Sequence, residues 1–179
     1  MTRLITVEDA PALTELVRRN RDFLAPWEPL RTDDYFTVDV QRAGIEDALA
    51  RHALGTTVPH VILDRSGEVV GRITLSGIVR GPFQSCSLGY WVDEAHNGQG
   101  LATAAVGEIV RHAFTDLKLH RVQAETLPHN AASQKVLARN GFARIGLAPH
   151  YLNIAGRWQD HVVFQVVNAE PPGGALTAG

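Results

Sequence analysis

The chain has 179 residues, 45% of them hydrophobic, which suits one domain built around one full core. Its formal charge of −2 comes without a local run of Lys or Arg and gives no footprint for nucleic acid. No window approaches the ~20 apolar residues of a membrane span. Cys86 is alone, so no internal disulfide forms, and the eight histidines contain no HExxH pair. A cytoplasmic protein with no metal, membrane or nucleic-acid partner is expected.

The opening MTRLITVEDA has no apolar leader. Leu4 to Val7 reads as a short first strand, and Glu8-Asp9-Ala10-Pro11 starts a helix that reaches Asn20. Prolines break Phe23-Leu24-Ala25-Pro26-Trp27-Glu28-Pro29, which is expected to be an ordered loop whose aromatics pack on something. Val38 to Leu54 is a second helix. His60 to Leu63 and Val69 to Leu75 form a hairpin about the turn Asp64-Arg65-Ser66-Gly67, and a third antiparallel strand runs from Phe83 to Val92. Ala102, Ala105, Val106, Ile109, Val110, Ala113 and Phe114 recur at helical spacing and mark the clearest helix. Arg121 to Leu127 is a strand, Ala131 to Asn140 a helix stopped by Gly141, and Phe142 to Leu147 a strand. His161 to Val167 closes the sheet. Residues 1–168 make the single domain, and the proline- and glycine-rich end, 169–179, has the composition of a flexible tail.

Between the third strand and the clearest helix lies Asn97-Gly98-Gln99-Gly100-Leu101-Ala102. The glycines let the backbone turn tightly and aim successive N–H groups at one spot, and the helix dipole adds partial positive charge there. Such a nest suits a pyrophosphate; a glycine-rich turn without a ligand is the alternative. It is neither a Walker A loop, which needs a Gly-Lys-Ser/Thr ending, nor a dinucleotide fingerprint, which needs a third glycine in a parallel βαβ unit.

This hexapeptide resembles the acyl-CoA loop of the GNAT acetyltransferase superfamily, Arg/Gln-x-x-Gly-x-Gly/Ala, at its fourth and sixth positions. Ser87-Leu88-Gly89-Tyr90-Trp91-Val92 resembles the family's fourth strand. Leu127-Pro128-His129-Asn130-Ala131-Ala132-Ser133 and Asn140-Gly141-Phe142 resemble the segments that follow it. The run Arg19 to Pro29 and the late Gly156-Arg157-Trp158-Gln159-Asp160-His161 look like the ribosomal-protein-alanine N-acetyltransferase branch, the RimJ/RimL type. The resemblance implies an α+β fold with a mixed, mostly antiparallel sheet of about seven strands, splayed between the fourth and fifth and flanked by about four helices. It also implies acetyl transfer from acetyl-CoA to a primary amine, with the N-terminus of a protein, such as a ribosomal protein, as acceptor, by a monomer or homodimer. One departure stands out: Asn97 occupies a position where the family carries Arg or Gln. Loss of a charge-assisted hydrogen bond of roughly 1.5–3 kcal/mol would weaken cofactor binding about ten- to a hundredfold, while the backbone donors are unaffected.

Amide formation from a thioester needs a neutral amine, a polarised carbonyl, a stabilised oxyanion and a proton for the thiolate. The resemblance places Glu125 on the strand bordering the cofactor, as general base; a salt-bridged strand carboxylate is the alternative. Asn130 caps the following helix, and the resemblance also sets it beside the pantetheine arm. Ser133, in the first helical turn, is either the thiolate's hydrogen-bond donor or an ordinary polar residue, and Tyr151 is the second candidate acid. If the fourth strand splays, free N–H groups near Tyr90 and Val92 bind the pantetheine arm and acetyl carbonyl; Tyr90 and Trp91 also suit plain strand packing. The cofactor set is therefore Tyr90, Trp91, Val92, Asn97, Gly98, Gln99, Gly100, Leu101, Ala102, Asn130 and Ser133. Cys86 has no adjacent base and reads as a core thiol. The resemblance makes Phe23, Trp27, Tyr35 and Trp158 candidate walls for the acceptor, with simple packing onto the core as the alternative; by their charge, Asp33, Asp34 and Asp160 either attract a cationic amine or are simply solvated. An acetyltransferase for a small amine (antibiotic, polyamine or amino-acid derivative) and a non-catalytic acyl-CoA-binding module remain open beside the protein acceptor.

Overall fold

The computed structural model describes residues 1–169; from residue 170 onward the expected tail lies outside the described residues. β1 (Thr2–Leu4) leads through a 3-10 turn at Val7–Asp9 into α1 (Ala10–Arg19), α2 (Arg21–Leu24) and α3 (Val38–Ala53). An antiparallel meander follows, β2 (Val58–Leu63), β3 (Val69–Val79) and β4 (Ser85–Val92). Then come α4 (Leu101–Thr115), β5 (Arg121–Thr126), α5 (Ala131–Arg139), β6 (Ala143–Ile154) and β7 (Arg157–Val167). The seven strands lie in the order β1-β2-β3-β4-β5-β7-β6, antiparallel except for the β4–β5 pair. This is the mixed α+β sheet that the sequence implied.

Local chemistry explains where the elements begin and end. Asp9 accepts from both Arg3 guanidinium nitrogens, at 2.7 and 2.6 Å, and from the Thr6 N–H at 2.8 Å, so residues 7–9 turn helical and the first strand ends earlier than expected. The Asp64 carboxylate gathers the N–H groups of Ser66 (2.8 Å) and Glu68 (3.0 Å), which with Gly67 at φ +89° makes the β2–β3 turn. Thr37 caps α3 and Asn130 caps α5, each accepting from the N–H three residues on. α2 is a short helix inside a segment read as loop, because the chain still lacks a proline until Pro26.

Two cores lie on the two faces of the sheet. On one, the stripe Ala105, Val106, Ile109, Val110 and Ala113 of α4 packs against Ile73, Leu75, Leu88 and Val122. On the other, α1 and α3 bring Leu13, Leu16 and Ile45 onto Ile5 and Val61. A close backbone approach requires glycine at Gly71, where a Cβ would stand 2.3 Å from the Trp91 carbonyl oxygen; at Gly107 a Cβ would stand 2.9 Å from the Asn140 side-chain Oδ1. Asn140 in turn donates to the carbonyls of Thr103 (3.2 Å) and Val136 (2.9 Å), tying α4 to α5.

The C-terminal hairpin departs most from expectation. β7 does not close the sheet at its edge but inserts between β5 and β6, leaving the twelve-residue β6 outermost. The last strand begins four residues before the expected His161, at Arg157, and the chain turns only at Ala155 and Gly156. That turn reaches across to the first loop: the Ala155 N–H donates to the Glu28 carbonyl at 2.9 Å, and Gly156 lies against Leu30.

Candidate active site

β4 and β5 pair only at Ser85↔Arg121, Cys86↔Val122 and Ser87↔Gln123. Beyond Ser87 they part, so β4 from Leu88 to Val92 is paired with β3 on one edge and with no strand on the other. The gap opens into a cavity of about 390 Å³. Its lining comes from both faces of the sheet: Asn130, Ser133 and Leu137 on the α5 side, and Trp27, Tyr35 and Arg72 on the α1–α3 side. Gly89, opposite Thr74, carries no side chain to fill it. Trp27 leans across the seam onto His129, ring centroids 5.4 Å apart.

On the α5 side, Asn130 Oδ1 accepts from the Ser133 N–H at 3.0 Å and fixes the first turn of α5. That sets the Ser133 hydroxyl 2.8 Å from the Tyr90 phenol, which also donates to the Ser133 carbonyl at 3.2 Å. Burial pushes the Tyr90 phenol up to about 12, so it stays protonated. Across the gap, Glu125 sits on β5 and accepts from Gln123 Nε2 at 2.6 Å. Tyr151 stands beside Glu125; burial first, and then this carboxylate, raise its pKa. A bulge between Ala148 and Leu152 aims Tyr151 there, with His150 at φ +48°. The Asp160 carboxylate holds the bulge by accepting from the His150 N–H at 2.9 Å.

The glycine turn before α4 has the backbone that its sequence requires. Gly98 and Gly100 have φ of +76° and +80°, and Gly100 is the left-handed cap of the fifteen-residue α4. Asn97, Gly98, Gln99 and Gly100 are exposed, while Leu101 and Ala102 are half-buried on the core. Gln99 and Leu101 border a second hollow, with Asp64, Arg65 and His96. Just before the nest, Asp93 is 2% exposed and accepts from Arg19 Nη2, Asn20 Nδ2 and His96 Nδ1, each at 2.7 Å. Burial alone would raise its pKa, but these donors hold it down at about 2. A glycine cradle at the head of a long helix, next to an unpaired strand edge, fits a diphosphate with an extended amide-bearing arm.

The cavity thus brings together Tyr90, Trp91, Glu125, Asn130 and Ser133 with Trp27 and Tyr35. It does not bring in Phe23, which is half-buried beside it, or Trp158, which is 63% exposed on β7. Asp160 is engaged with the bulge, Asp33 is ion-paired to Arg21 at 2.7 Å, and Asp34 bonds Thr32. Val92 is buried opposite Gly71. Cys86 is buried and its thiol is pushed up to about 12 by burial, so it is a poor nucleophile. Sequence reasoning missed Arg72, Arg31 and His161 in the cavity wall and Asp93 behind the nest. Alternation could have found Arg72: in Arg72-Ile73-Thr74-Leu75-Ser76 the polar residues share one face, which therefore looks onto something other than core. Among the described residues no cluster of His, Cys, Asp or Glu could hold a metal, and no helix is long and apolar enough to cross a membrane.

Residues 1–143 match the acetyltransferase (GNAT) domain family. The chain is 37% identical to "Probable N-acetyltransferase YjcK" of Bacillus subtilis over 94% of its own length and 93% of that protein's. It is 34% identical to the [ribosomal protein uS5]-alanine N-acetyltransferase of Escherichia coli, covering 91% of this chain and 84% of that one. Among solved structures, Mycobacterium smegmatis RimJ in complex with CoA-disulfide superposes with a TM-score of 0.89 at 33% identity, over 93% of this chain and 80% of that one.

Proposed function

The chain belongs to the GNAT acetyltransferase family and is an acyltransferase, and on that premise we propose that it acetylates the N-terminal α-amino group of a protein, with ribosomal proteins as the substrate class. The observation that carries this reading is the seam between β4 and β5, which joins a diphosphate nest and a free strand edge on one side to an aromatic mouth on the other. The E. coli relative named for a ribosomal protein's alanine supports the acceptor class, and the RimJ complex with CoA-disulfide supports the donor. When bound, acetyl-CoA supplies an activated acyl carbon and a thiol leaving group.

The chain's own residues do the rest. Main-chain N–H groups from Gly98 to Ala102 hold the diphosphate, and the free edge of β4 near Tyr90 orients the pantetheine arm and acetyl carbonyl. An α-amine with a pKa near ~8 needs only a weak base, and Glu125, with one oxygen held by Gln123, takes its proton. The new C–N bond forms as the C–S bond breaks. Ser133 then gives its proton to sulfur and regains one from solvent, its hydroxyl held by the protonated Tyr90 phenol 2.8 Å away; Tyr151, held protonated beside Glu125, is the second donor. Transfer is direct, because the buried Cys86 thiol is protonated at neutral pH.

The test follows free thiol and product mass with acetyl-CoA and three acceptors: a peptide with a free N-terminal alanine, the same peptide N-blocked but carrying lysine, and a polyamine. Thiol release with acetyl placed on the free N-terminus is expected. Acetylation of the polyamine or the lysine alone would replace the protein N-terminus as acceptor. CoA binding without thiol release from any acceptor would leave only a binding module.

A further inference from the structure

The acceptor half of the cavity contains a guanidinium that no described residue engages directly. Arg72, on β3 opposite Trp91, is half-buried in the wall. Among the described residues its guanidinium makes no hydrogen bond and no ion pair. The arginines that make neither elsewhere are exposed. A guanidinium presents five donors and stays charged at any physiological pH, so leaving it half-desolvated and unpaired is unfavourable unless a ligand completes it. Tyr35 and Glu28 attract it through space without a hydrogen bond or ion pair to it, but both are already engaged by Arg31, Glu28 at 3.4 Å and the Tyr35 ring face at 4.3 Å, and the Arg31 guanidinium itself repels Arg72. Burial draws the Arg72 pKa below the ordinary arginine value, the direction expected of a cation with too few partners.

Arg72 shares its face of the sheet with Gly89 and Trp91, away from the nest and α5, so the donor's phosphates do not reach it. Glu125 lines the other side of the same cavity. The acceptor space therefore has a negative wall where the amine is deprotonated and a positive wall facing it. A neutral amide carbonyl would satisfy one or two donors but not offset the charge; a carboxylate does both and can take a bidentate guanidinium contact.

We propose that Arg72 selects the acceptor by pairing with a carboxylate carried close to the acceptor amine, so that N-termini with Asp or Glu at the second or third residue are the favoured substrates. This deepens the reading of the cavity as an N-terminal acetylation site and rests on it.

The experiment compares matched peptides beginning alanyl-aspartyl and alanyl-asparaginyl, and beside them alanine and alaninamide, by kcat/KM with acetyl-CoA. The wild type is expected to favour the carboxylate member at least about tenfold. Arg72→Gln should bring the pair within about twofold, and Arg72→Lys should retain most of the preference. CoA titration verifies that each variant still binds the donor, and calorimetric binding of the same pairs to the CoA complex reads the preference independently of turnover. Equal use of both members by the wild type, or a preference that survives Arg72→Gln, overturns the proposal while leaving N-terminal acetylation intact. A carboxylate preference seen only with alanine over alaninamide keeps the role of Arg72 and overturns the protein acceptor instead.

Discussion

Asp93→Asn is the substitution whose effect follows most directly from the geometry. The carboxylate is 2% exposed and accepts from Arg19 Nε (3.2 Å), Arg19 Nη2 (2.7 Å), Asn20 Nδ2 (2.7 Å) and His96 Nδ1 (2.7 Å). In the amide, one oxygen becomes an NH₂ group that faces a donor, so at least one of the 2.7 Å bonds turns repulsive and the Arg19 charge loses its partner. Arg19 is half exposed and can recover water, which removes part of the cost of breaking a buried pair. The same donors hold the carboxyl pKa at about 2, against an ordinary aspartate value of about 3.8. That difference corresponds to roughly 2 kcal/mol of stability. The pKa is depressed on folding, so this contribution is complete above about pH 4 and is lost as pH falls toward 2. Urea unfolding should show Asp93→Asn about 2–3 kcal/mol less stable at pH 7, with the gap about halved at pH 3. Because His96 leads into the nest, CoA affinity should also fall by about tenfold in calorimetry. A stability gap below about 0.5 kcal/mol at pH 7, or one unchanged at pH 3, refutes the reasoning.

Glu125→Gln should lower kcat by about 10²–10⁴-fold with little change in CoA affinity; unchanged turnover across pH 6 to 9 would remove it as base. Cys86→Ala should keep turnover within about twofold and sequential kinetics, since its thiol carries no acyl group; a large loss of kcat without loss of fold would argue for a covalent step. Gly71→Ala places a Cβ against the Trp91 carbonyl, and backbone cannot yield as a side chain does, so a loss of about 3 kcal/mol or more is expected in thermal or urea unfolding. Asn97→Arg should tighten acetyl-CoA binding by about tenfold in calorimetric titration; no change would mean that this exposed side chain does not meet the phosphates.

Much of the fold was legible because its signals are local. The α4 stripe, the Asp64–Gly67 turn, the cap at Asn130 and the glycines of the nest each declare a conformation within a few residues. What stayed hidden depends on tertiary partners. Asp160 reads as a free carboxylate until β6 bulges against it, and Trp158 looks like a binding aromatic until β7 turns it outward. Asp93 belongs to a network whose other members are His96 nearby and, more than 70 positions away in the chain, Arg19 and Asn20. The parting of β4 and β5 came only through resemblance, because nothing in Leu88 to Val92 distinguishes a strand with one partner from a strand with two.

The place of β7 between β5 and the edge strand β6 sets the order in which the molecule can be completed. Until the chain has been made through Val167, β5 has no neighbour on its outer side, and Tyr151 and His161 have no frame to hold them. The glycine nest and α4 draw on residues that precede β5, whereas the wall formed by Glu125 and Tyr151 takes shape only once β6 and β7 have paired. Local opening of that hairpin would therefore dismantle one side of the cavity while the nest and its helix stay folded.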